Sequence, residues 1–355
     1  MADFIDKNFL VECMSVPTYS KFEYHMVSFI VHWAMRNQVK YEFDGFGNLY
    51  LTKGELGDGE YYPCVTSHLD TVQIGHIPYI NAMIPLSLKI DENEYGQHEL
   101  YVDDAEEKVG IGSDDKSGIC ICLSIFNYFD KLKACFFLEE EIGCNGSNRL
   151  DENWFKDVGY VIGFDSPDLY RAAWSCQGVK LFSYDFYEKY MKDVCDAWGL
   201  TKGCFFSEPY TDVKLIREKT GIICMNFGNG GYNAHNMGGP EYCIIEDMDQ
   251  ACGMGIDLID SIGLTRHYLE HGQDDSEDTF KLKLLGDITE EQRKIHGKTA
   301  TSADIKLVRH YDKHIDNMKN ELLEDIKGLC EKNGVDFEEF SNVISSKFDN
   351  KPLKL

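Results

Sequence analysis

The sequence predicts an α/β protein with a mixed, mostly parallel central sheet, helices on both faces and a helical C-terminal extension. β-type runs alternate with amphipathic helical segments through the first 264 residues, as in sheets whose strands are joined by helices. Beyond them, apolar residues recur every three or four positions from Ile305 to Leu329, which indicates one long amphipathic helix. With 43% hydrophobic and 13% aromatic residues, the 355-residue chain can build a packed core.

The first predicted elements are a helix and three strands. Ser20 and Glu23 form a capping-box pattern, and the helix predicted to begin there runs to about Asn37, with Met26 and Trp33 on its apolar face. Short β-type runs separated by turn residues follow the helix. These strands are predicted at 40–43, 49–51 and 61–66.

Helices and strands alternate further along the chain. The interval 77–103 interrupts this pattern with Pro, Asn and Gly, so we expect an irregular or hairpin insertion there. Helices are predicted at 117–129, 187–198 and 248–264, and strands at 134–138, 160–164 and 221–227.

An acidic, polar run from His271 to Asp278 is typical of a linker and predicts a domain boundary. We therefore expect a main domain over 1–271, an acidic linker or irregular segment over 272–304, and a helical extension over 305–355. The apolar face of the extension is expected to pack on its own domain; pairing with a second copy, as in a homo-oligomer, is the alternative.

Charge and cysteine usage exclude several classes of protein. Lys and Arg number 35 against 61 Asp and Glu, and the net charge of −26 argues against nucleic acids and anionic membranes as partners. The sequence has no signal peptide pattern and no apolar run long enough to span a membrane, so we expect a soluble, cytoplasmic protein. Its 13 scattered cysteines, without paired CxxC motifs, are expected to be reduced thiols that act as small core residues.

Acidic and imidazole side chains concentrate where predicted strands end or a helix begins. Each of these positions has a structural explanation, such as an N-cap for an Asp, but their number exceeds that need. The carboxyl ends of parallel strands are where open α/β sheets bind ligands, and clustered carboxylates repel one another unless a cation lies among them. The residues are His68, Asp70, Asp114, Asp115, Glu139, Glu140, Glu141, Asp165 and His235.

At these positions the sequence resembles the dinuclear zinc exopeptidases and amidohydrolases, a superfamily that includes peptidase T, glutamate carboxypeptidase and leucyl-type aminopeptidases. The resemblance covers roughly the first 260 residues and implies a zinc exopeptidase-like fold with the catalytic domain in 1–271. The matching segments, in order, are 15–23, 44–48, 68–70, 114–118, 140–143, 165, 211–212 and 235.

The resemblance also implies a set of metal ligands. Asp114 corresponds to the carboxylate that bridges two divalent ions. His68 and Asp165 would complete the first ion, and Glu141 and His235 the second. Nitrogen and oxygen ligands suit zinc, which we expect, or cobalt or manganese, because no Cys belongs to the set.

Two catalytic roles follow from the same resemblance. Glu140 would be the general base, which takes a proton from the attacking water and returns it to the leaving amine. Asp70 would orient His68. The family also implies a cis peptide bond between Asp114 and Asp115.

Spacing narrows the expected subtype. From Asp165 to His235 the chain advances only 70 residues, and from His68 to Asp114 only 46, so neither interval holds a separate lid domain. The segment Glu140–Ser147 resembles the EExGxxGS signature of the lid-less aminopeptidase branch. We expect a metal-dependent exopeptidase, an aminopeptidase, acting on a peptide or small amide; an amidohydrolase or deacylase, a carboxypeptidase, and a catalytically inactive binding or structural protein are the alternatives.

The segment His267–His271 matches the HxxEH pattern of inverted zinc peptidases. We interpret it instead as the end of a helix, where imidazoles face the negative end of the helix dipole and Gly272 ends the helix.

Overall fold

The computed structural model describes residues 4–72, 85–103, 110–200, 204–208, 210–236 and 240–269. The chain divides into two compact units, Met1–Gly286 and Asp287–Leu355, and every described residue belongs to the first. The predicted linker over 272–304 and the predicted helical extension over 305–355 therefore lie outside the described residues.

Strands and helices alternate through the described residues. The strands are β1 (Lys40–Phe43), β2 (Leu49–Lys53), β3 (Tyr62–His68), β4 (Leu88–Glu92), β5 (His98–Val102), β6 (Leu132–Phe137), β7 (Val158–Ser166), β8 (Ala172–Cys176), β9 (Val179–Lys180), β10 (Phe205–Glu208), β11 (Cys224–Gly228), β12 (Gly231–Tyr232) and β13 (Tyr242–Ile244). The helices are α1 (Lys7–Ser15), α2 (Tyr24–Arg36), α3 (Ser113–Ile125), α4 (Tyr184–Phe186), α5 (Lys192–Ala197), α6 (Asp212–Thr220) and α7 (Ile245–Ile262), with a π-helical segment, Tyr187–Met191, between α4 and α5.

In the described part of the chain, nine strands form one central sheet in the order β1-β2-β6-β3-β7-β11-β8-β10, with β9 paired to β8. The four middle strands β6, β3, β7 and β11 run parallel to one another. Antiparallel strands flank them, at β2 beside β6 and at β8 beside β11. This arrangement confirms the predicted α/β class with a mixed central sheet.

Helices cover both faces of this sheet. Neighbouring residues of a strand point to opposite faces, and in β7 the ring of Phe164 lies 2.7 Å from where a Cβ on Gly255 of α7 would lie. On the other face, a Cβ on Gly163 would lie 2.8 Å from Val213 of α6. The two adjacent residues of β7 thus contact helices on opposite sides.

The second helix begins later than predicted. Met26, Ile30 and Trp33 of α2 are buried, as the apolar pattern indicated. However, α2 starts at Tyr24, and its N-cap residue Glu23 makes no side-chain capping hydrogen bond. Ser20 donates to the Asp70 carboxylate instead, because this buried acceptor lies within reach of its hydroxyl.

A smaller sheet of the described residues has the order β12-β13-β5-β4. Its β4–β5 hairpin is the described part of the interval 77–103, where a hairpin insertion was expected. Strand β5 pairs with β13, which follows the loop that carries His235. No helix among the described residues is long and apolar enough to cross a membrane.

The prediction of a helix end at His267 is wrong. Helix α7 ends at Ile262, and Gly263 follows it with a φ of 73°. His267 lies in an extended segment in which Tyr268 forms a β-bridge with Ile222. Its ring packs against the Tyr190 ring, with centroids 4.9 Å apart, and burial lowers its pKa. Aromatic packing therefore accounts for this imidazole.

Candidate metal centre

The side chains singled out in the sequence meet at the carboxyl ends of four adjacent parallel strands. His68 is the last residue of β3, Glu140 and Glu141 follow β6, Asp165 lies near the end of β7, and the loop carrying His235 follows β11. Asp114 reaches the same place from the first turn of α3. Parallel strands end at one edge of a sheet, and this edge gathers groups that are far apart in the sequence.

Asp114 lies between two imidazole groups. Its Oδ1 lies 2.9 Å from Nε2 of His68, and its Oδ2 lies 3.3 Å from Nε2 of His235. Each imidazole also faces a second carboxylate: His68 Nε2 lies 3.4 Å from Oδ1 of Asp165, and His235 Nε2 lies 3.0 Å from Oε1 of Glu141. The five residues form two half-sites that share one carboxylate.

This donor set fits divalent metal ions. Ligand atoms of His68, Asp114 and Glu141 lie within 4.8 Å of one another, as do those of His68, Asp115 and Asp165. Two imidazoles with carboxylates are donors that zinc, cobalt and manganese accept.

Asp115 enters one of these clusters although the sequence did not single it out as a ligand. Its Oδ1 accepts hydrogen bonds from the Asn229 side chain at 3.0 Å and from the Gly118 amide at 3.1 Å. Its Oδ2 accepts one from the His68 amide at 3.3 Å. Because these donors already occupy its oxygens, we interpret Asp115 as a support for the end of β3.

The Glu141 and Asp165 carboxyl groups are largely shielded from solvent and lie close to Asp114, which raises their pKa values. Burial, with the nearby Asp114 charge, raises the pKa of Glu141 to about 7. Burial raises the pKa of Asp165 to about 6, again with a contribution from Asp114. Burial and the neighbouring Asp114 charge both disfavour the ionised forms of these carboxylates, and a bound cation would favour those forms.

The pKa values of the two imidazoles are also raised, but by the neighbouring carboxylates and against the effect of burial. Burial alone would lower the pKa of His235, but the Asp114 and Glu141 carboxylates outweigh it and raise the pKa to about 11. The same balance holds the pKa of His68 well above its ordinary value. Although burial opposes ionisation of Asp114, the two imidazoles hold its pKa well below the usual range. Protons and metal ions therefore compete for the same lone pairs.

Glu140 lies beside the two half-sites with 6% of its surface exposed. Burial raises the pKa of its carboxyl well above the ordinary value; His68 opposes this shift, and Asp165 and Asp212 add to it. The thiol of Cys144 lies 3.5 Å from its Oε1. A carboxylate with a raised pKa is a suitable proton acceptor.

Asp70 contacts the His68 ring, which it was expected to orient, and also the backbone of Glu140 and Glu141. Nδ1 of His68 lies 2.8 Å from the Asp70 carbonyl oxygen and 3.5 Å from Oδ1 of its carboxylate. The carboxylate accepts hydrogen bonds from the amides of Glu140 at 2.9 Å and Glu141 at 3.3 Å, and from the Ser20 hydroxyl at 2.6 Å. Asp70 thus holds the turn that carries the two glutamates.

The peptide bond after Asp114 and the segment 211–212 also belong to the predicted site. The Asp114–Asp115 peptide bond is cis, as the resemblance implied. Thr211 donates to Oδ2 of Asp165 at 3.0 Å. Asp212 is buried and accepts a hydrogen bond from the Ser147 hydroxyl.

No sequence pattern points to Glu241, which is 5% exposed and accepts hydrogen bonds from the turn before Asp114. Glu241 follows Gly238-Gly239-Pro240, and it neither ends an apolar run nor lies in a cluster of acidic residues. Only its spatial position reveals it.

No protein-family model matches the sequence, and no curated protein matches it. Solved structures do share its fold. An aminopeptidase PepT from Bacillus cereus is 14% identical, with 73% of this chain and 99% of that chain covered and a TM-score of 0.60. A tripeptidase from Staphylococcus aureus is 13% identical, with 72% and 98% covered and a TM-score of 0.58.

A TET aminopeptidase from a marine sediment thaumarchaeon is 9% identical, with 72% and 97% covered and a TM-score of 0.53. At these identities the likeness establishes the fold. The chain has the α/β fold of structures described as aminopeptidases and a tripeptidase, in agreement with the resemblance in its sequence.

Proposed function

We propose that residues 1–271 form a metal-dependent exopeptidase, an aminopeptidase with a dinuclear site. One observation carries the proposal: the two oxygens of Asp114 divide between His68 and His235, and each imidazole faces a second carboxylate. This is the arrangement that two ions sharing one bridging ligand require. The aminopeptidase and tripeptidase structures of the same fold support this activity.

The residues divide into ligands and a base. His68, Asp114 and Asp165 would hold one ion, and Asp114, Glu141 and His235 the other. When bound, the ions, which we propose to be zinc, polarise the amide carbonyl and acidify water. Glu140 accepts a proton from the attacking water and delivers it to the leaving amine, and its burial suits it to hold that proton between the two steps.

One contact favours an aminopeptidase over a carboxypeptidase. A carboxypeptidase presents a cationic side chain to the substrate carboxylate, and Arg171 is a cationic residue six positions after Asp165 in the sequence. Its Nε donates to Oε1 of Glu208 at 2.8 Å, and Glu208 also accepts from Ser166, next to Asp165. Because Glu208 already neutralises the Arg171 guanidinium, we assign Arg171 to support of the sheet edge.

The test is a mass-spectrometric time course with free, N-blocked and C-blocked peptides and N-acyl amino acids, in zinc, cobalt or manganese. We expect stepwise loss of N-terminal residues from free peptides and none from N-blocked ones. Release of C-terminal residues, or deacylation alone, would assign the protein to one of the alternative classes. Absence of turnover despite stoichiometric metal would indicate an inactive binding protein.

Glu140→Gln is the decisive variant in that experiment. It should bind the same metals and lose turnover about 10²- to 10⁴-fold, because the amide cannot accept the proton. Glu139→Gln is the matched control, since the Glu139 side chain bonds to Asn145 rather than to the site, and it should keep its activity. Full activity in Glu140→Gln would remove Glu140 from the role of base.

A further inference from the structure

Glu241 lies just before β13, on the segment that follows the His235 loop, and its carboxylate is buried. Its Oε2 accepts a hydrogen bond from the Gly112 amide at 2.9 Å. Its Oε1 accepts from both the amide and the hydroxyl of Ser113, each at 2.7 Å, and lies 3.5 Å from the Asp114 amide. One carboxylate therefore receives the successive backbone amides that lead into Asp114.

The first turn of α3 needs an acceptor from elsewhere in the fold. Its N-cap residue, Gly112, is in the left-handed region with a φ of 70° and offers no side chain to accept a bond. The backbone of Asp114 and Asp115 is not helical, so these residues do not extend the regular turn. Glu241 provides the missing acceptor, and without it buried amides would lose their partner.

This contact joins two ligand-bearing segments. Glu241 and His235 lie on the same stretch of chain, which is held in the small sheet by the pairing of Gly231 with Cys243. Glu241 thus fixes the turn carrying Asp114 relative to the segment carrying His235. The other half-site takes His68 and Asp165 from the buried central strands β3 and β7.

We propose that Glu241 is a positioning residue for one half-site, the one formed by Asp114, Glu141 and His235. Loss of its carboxylate weakens binding of the ion held there more than binding of the other ion. This inference rests on the proposed dinuclear function, since it assigns a residue to one of the two ions. The role is structural support of ligands, without contact to substrate.

The test is a cobalt titration of metal-free, full-length protein, followed by visible absorption and calorimetry. Wild type should bind two ions. Glu241→Gln should bind the ion of the Asp114, Glu141 and His235 half-site about 10- to 100-fold more weakly, as is typical when a partner of a metal ligand is lost. The loss of affinity for the other ion should be clearly smaller, although Asp114 is shared by both half-sites. The weakened event should be the one that His235→Ala abolishes, and excess cobalt should restore turnover of Glu241→Gln.

Two further variants make the titration specific. Glu246→Gln, in the first turn of α7, is the matched control, because Glu246 bonds to His98 and not to the Asp114 turn; it should bind both ions normally. Ser113→Ala removes one of the hydrogen bonds to Glu241 and should weaken the same ion by a smaller factor. This milder variant tests the inference if Glu241→Gln does not fold.

Three outcomes contradict the inference. Unchanged affinity for both ions in folded Glu241→Gln, or equal weakening of both, overturns the inference and leaves the proposed function intact. A wild type that binds fewer than two ions overturns the dinuclear function and this inference with it.

Discussion

At the scale of single residues, five carboxylates of the site fall into two groups with different partners. Asp114, Glu141 and Asp165 face imidazole nitrogens. Asp70 and Glu241 accept backbone amides from the turns that carry those ligands. The second group sets positions for the first, because a carboxylate that accepts successive amides fixes the backbone between them.

Asp70→Asn tests this division. The asparagine amide would place a donor against the amide of Glu140 or Glu141, and one buried donor would lose its partner. We expect the free energy of unfolding to fall by about 1–3 kcal/mol and turnover to fall with it. Urea denaturation and peptide hydrolysis measure the two effects.

Ser20→Ala is the control for that substitution. It removes a hydroxyl donor to the same carboxylate but leaves both glutamate amides paired. Its loss of stability should be smaller and its turnover unchanged. Equal effects of the two substitutions would show that Asp70 does not act through the glutamate turn.

The ligand candidates could be identified from the sequence because they lie where predicted strands end or a helix begins, in the order found in the family that the sequence resembles. His68 ends a fully buried strand, and Asp114 follows Gly110-Ile111-Gly112. Glu241 has no local signal, since its partners Gly112 and Ser113 lie 129 and 128 residues earlier. A contact of this kind depends on the whole fold.

At the scale of elements, α3 packs closely against β7. A Cβ on Gly118 would lie 2.5 Å from the Phe164 carbonyl oxygen and 2.3 Å from Oδ1 of Asp115. Only glycine allows the helix to approach the strand at this point. The close approach brings the start of α3 to the same sheet edge as Asp165.

Gly118→Ala should therefore destabilise the protein, although alanine favours a helix by about 1 kcal/mol in an exposed position. We expect a net loss of about 1–3 kcal/mol, because the added carbon pushes α3 away from β7. Gly45→Ala is the control, as nothing lies within 4 Å of its added carbon. Thermal unfolding compares the two, and equal midpoints would contradict the close packing.

Fully buried elements could be predicted from the sequence, whereas a short, polar, partly buried helix could not. Strands β3 and β6 are buried throughout, and their apolar runs identified them. Helix α6 was not predicted, because it is short and polar and buries Val213 and Ile216 among charged residues. The N-terminus of α2 was misplaced because Ser20 bonds to Asp70, a residue distant in the sequence.

At the scale of the whole molecule, the thiols behave as core residues. The twelve cysteines of the described residues are free, and eleven of them are buried. Burial raises the pKa of Cys176, Cys195 and Cys243 to about 12 each. The folded state therefore resists their ionisation.

Stability should fall in alkaline solution for this reason. Below the unfolded thiol pKa of about 8.5, the thiols are protonated in both states and the free energy of unfolding is unaffected. As the pH rises from there towards the pKa of the folded state, only the unfolded state loses these protons, and the free energy of unfolding falls. Each such thiol should contribute a slope of about 1.4 kcal/mol per pH unit in that window. Urea unfolding in reductant between pH 7.5 and 10 measures it.

Cys195→Ala should reduce this slope by the contribution of one thiol. Leu200→Ala, at a neighbouring buried position, should lower stability equally at every pH because it removes no titrating group. An unchanged slope in Cys195→Ala would show that its ionisation does not limit alkaline stability.

Metal binding should stabilise the entire domain, because the proposed ligands extend from His68 to His235. At a free metal concentration of 100 times the dissociation constant, one site adds about 2.7 kcal/mol. A chelator should therefore lower the unfolding temperature of the wild type. In Asp114→Asn, which loses the shared carboxylate, this response should be much smaller; a wild type insensitive to chelator would contradict the proposed site.

The position of β11 has a consequence for biosynthesis. β11 follows β10 in the chain yet lies between β7 and β8 in the sheet, so it enters the middle after both of its neighbours have been made. Until then, the facing edges of β7 and β8 have no partner for their amides and carbonyls, and such edges pair readily with other chains. A fragment that ends before Cys224 would thus be prone to aggregation, whereas a fragment that includes β11, Cys224–Gly228, could fill the gap in the sheet.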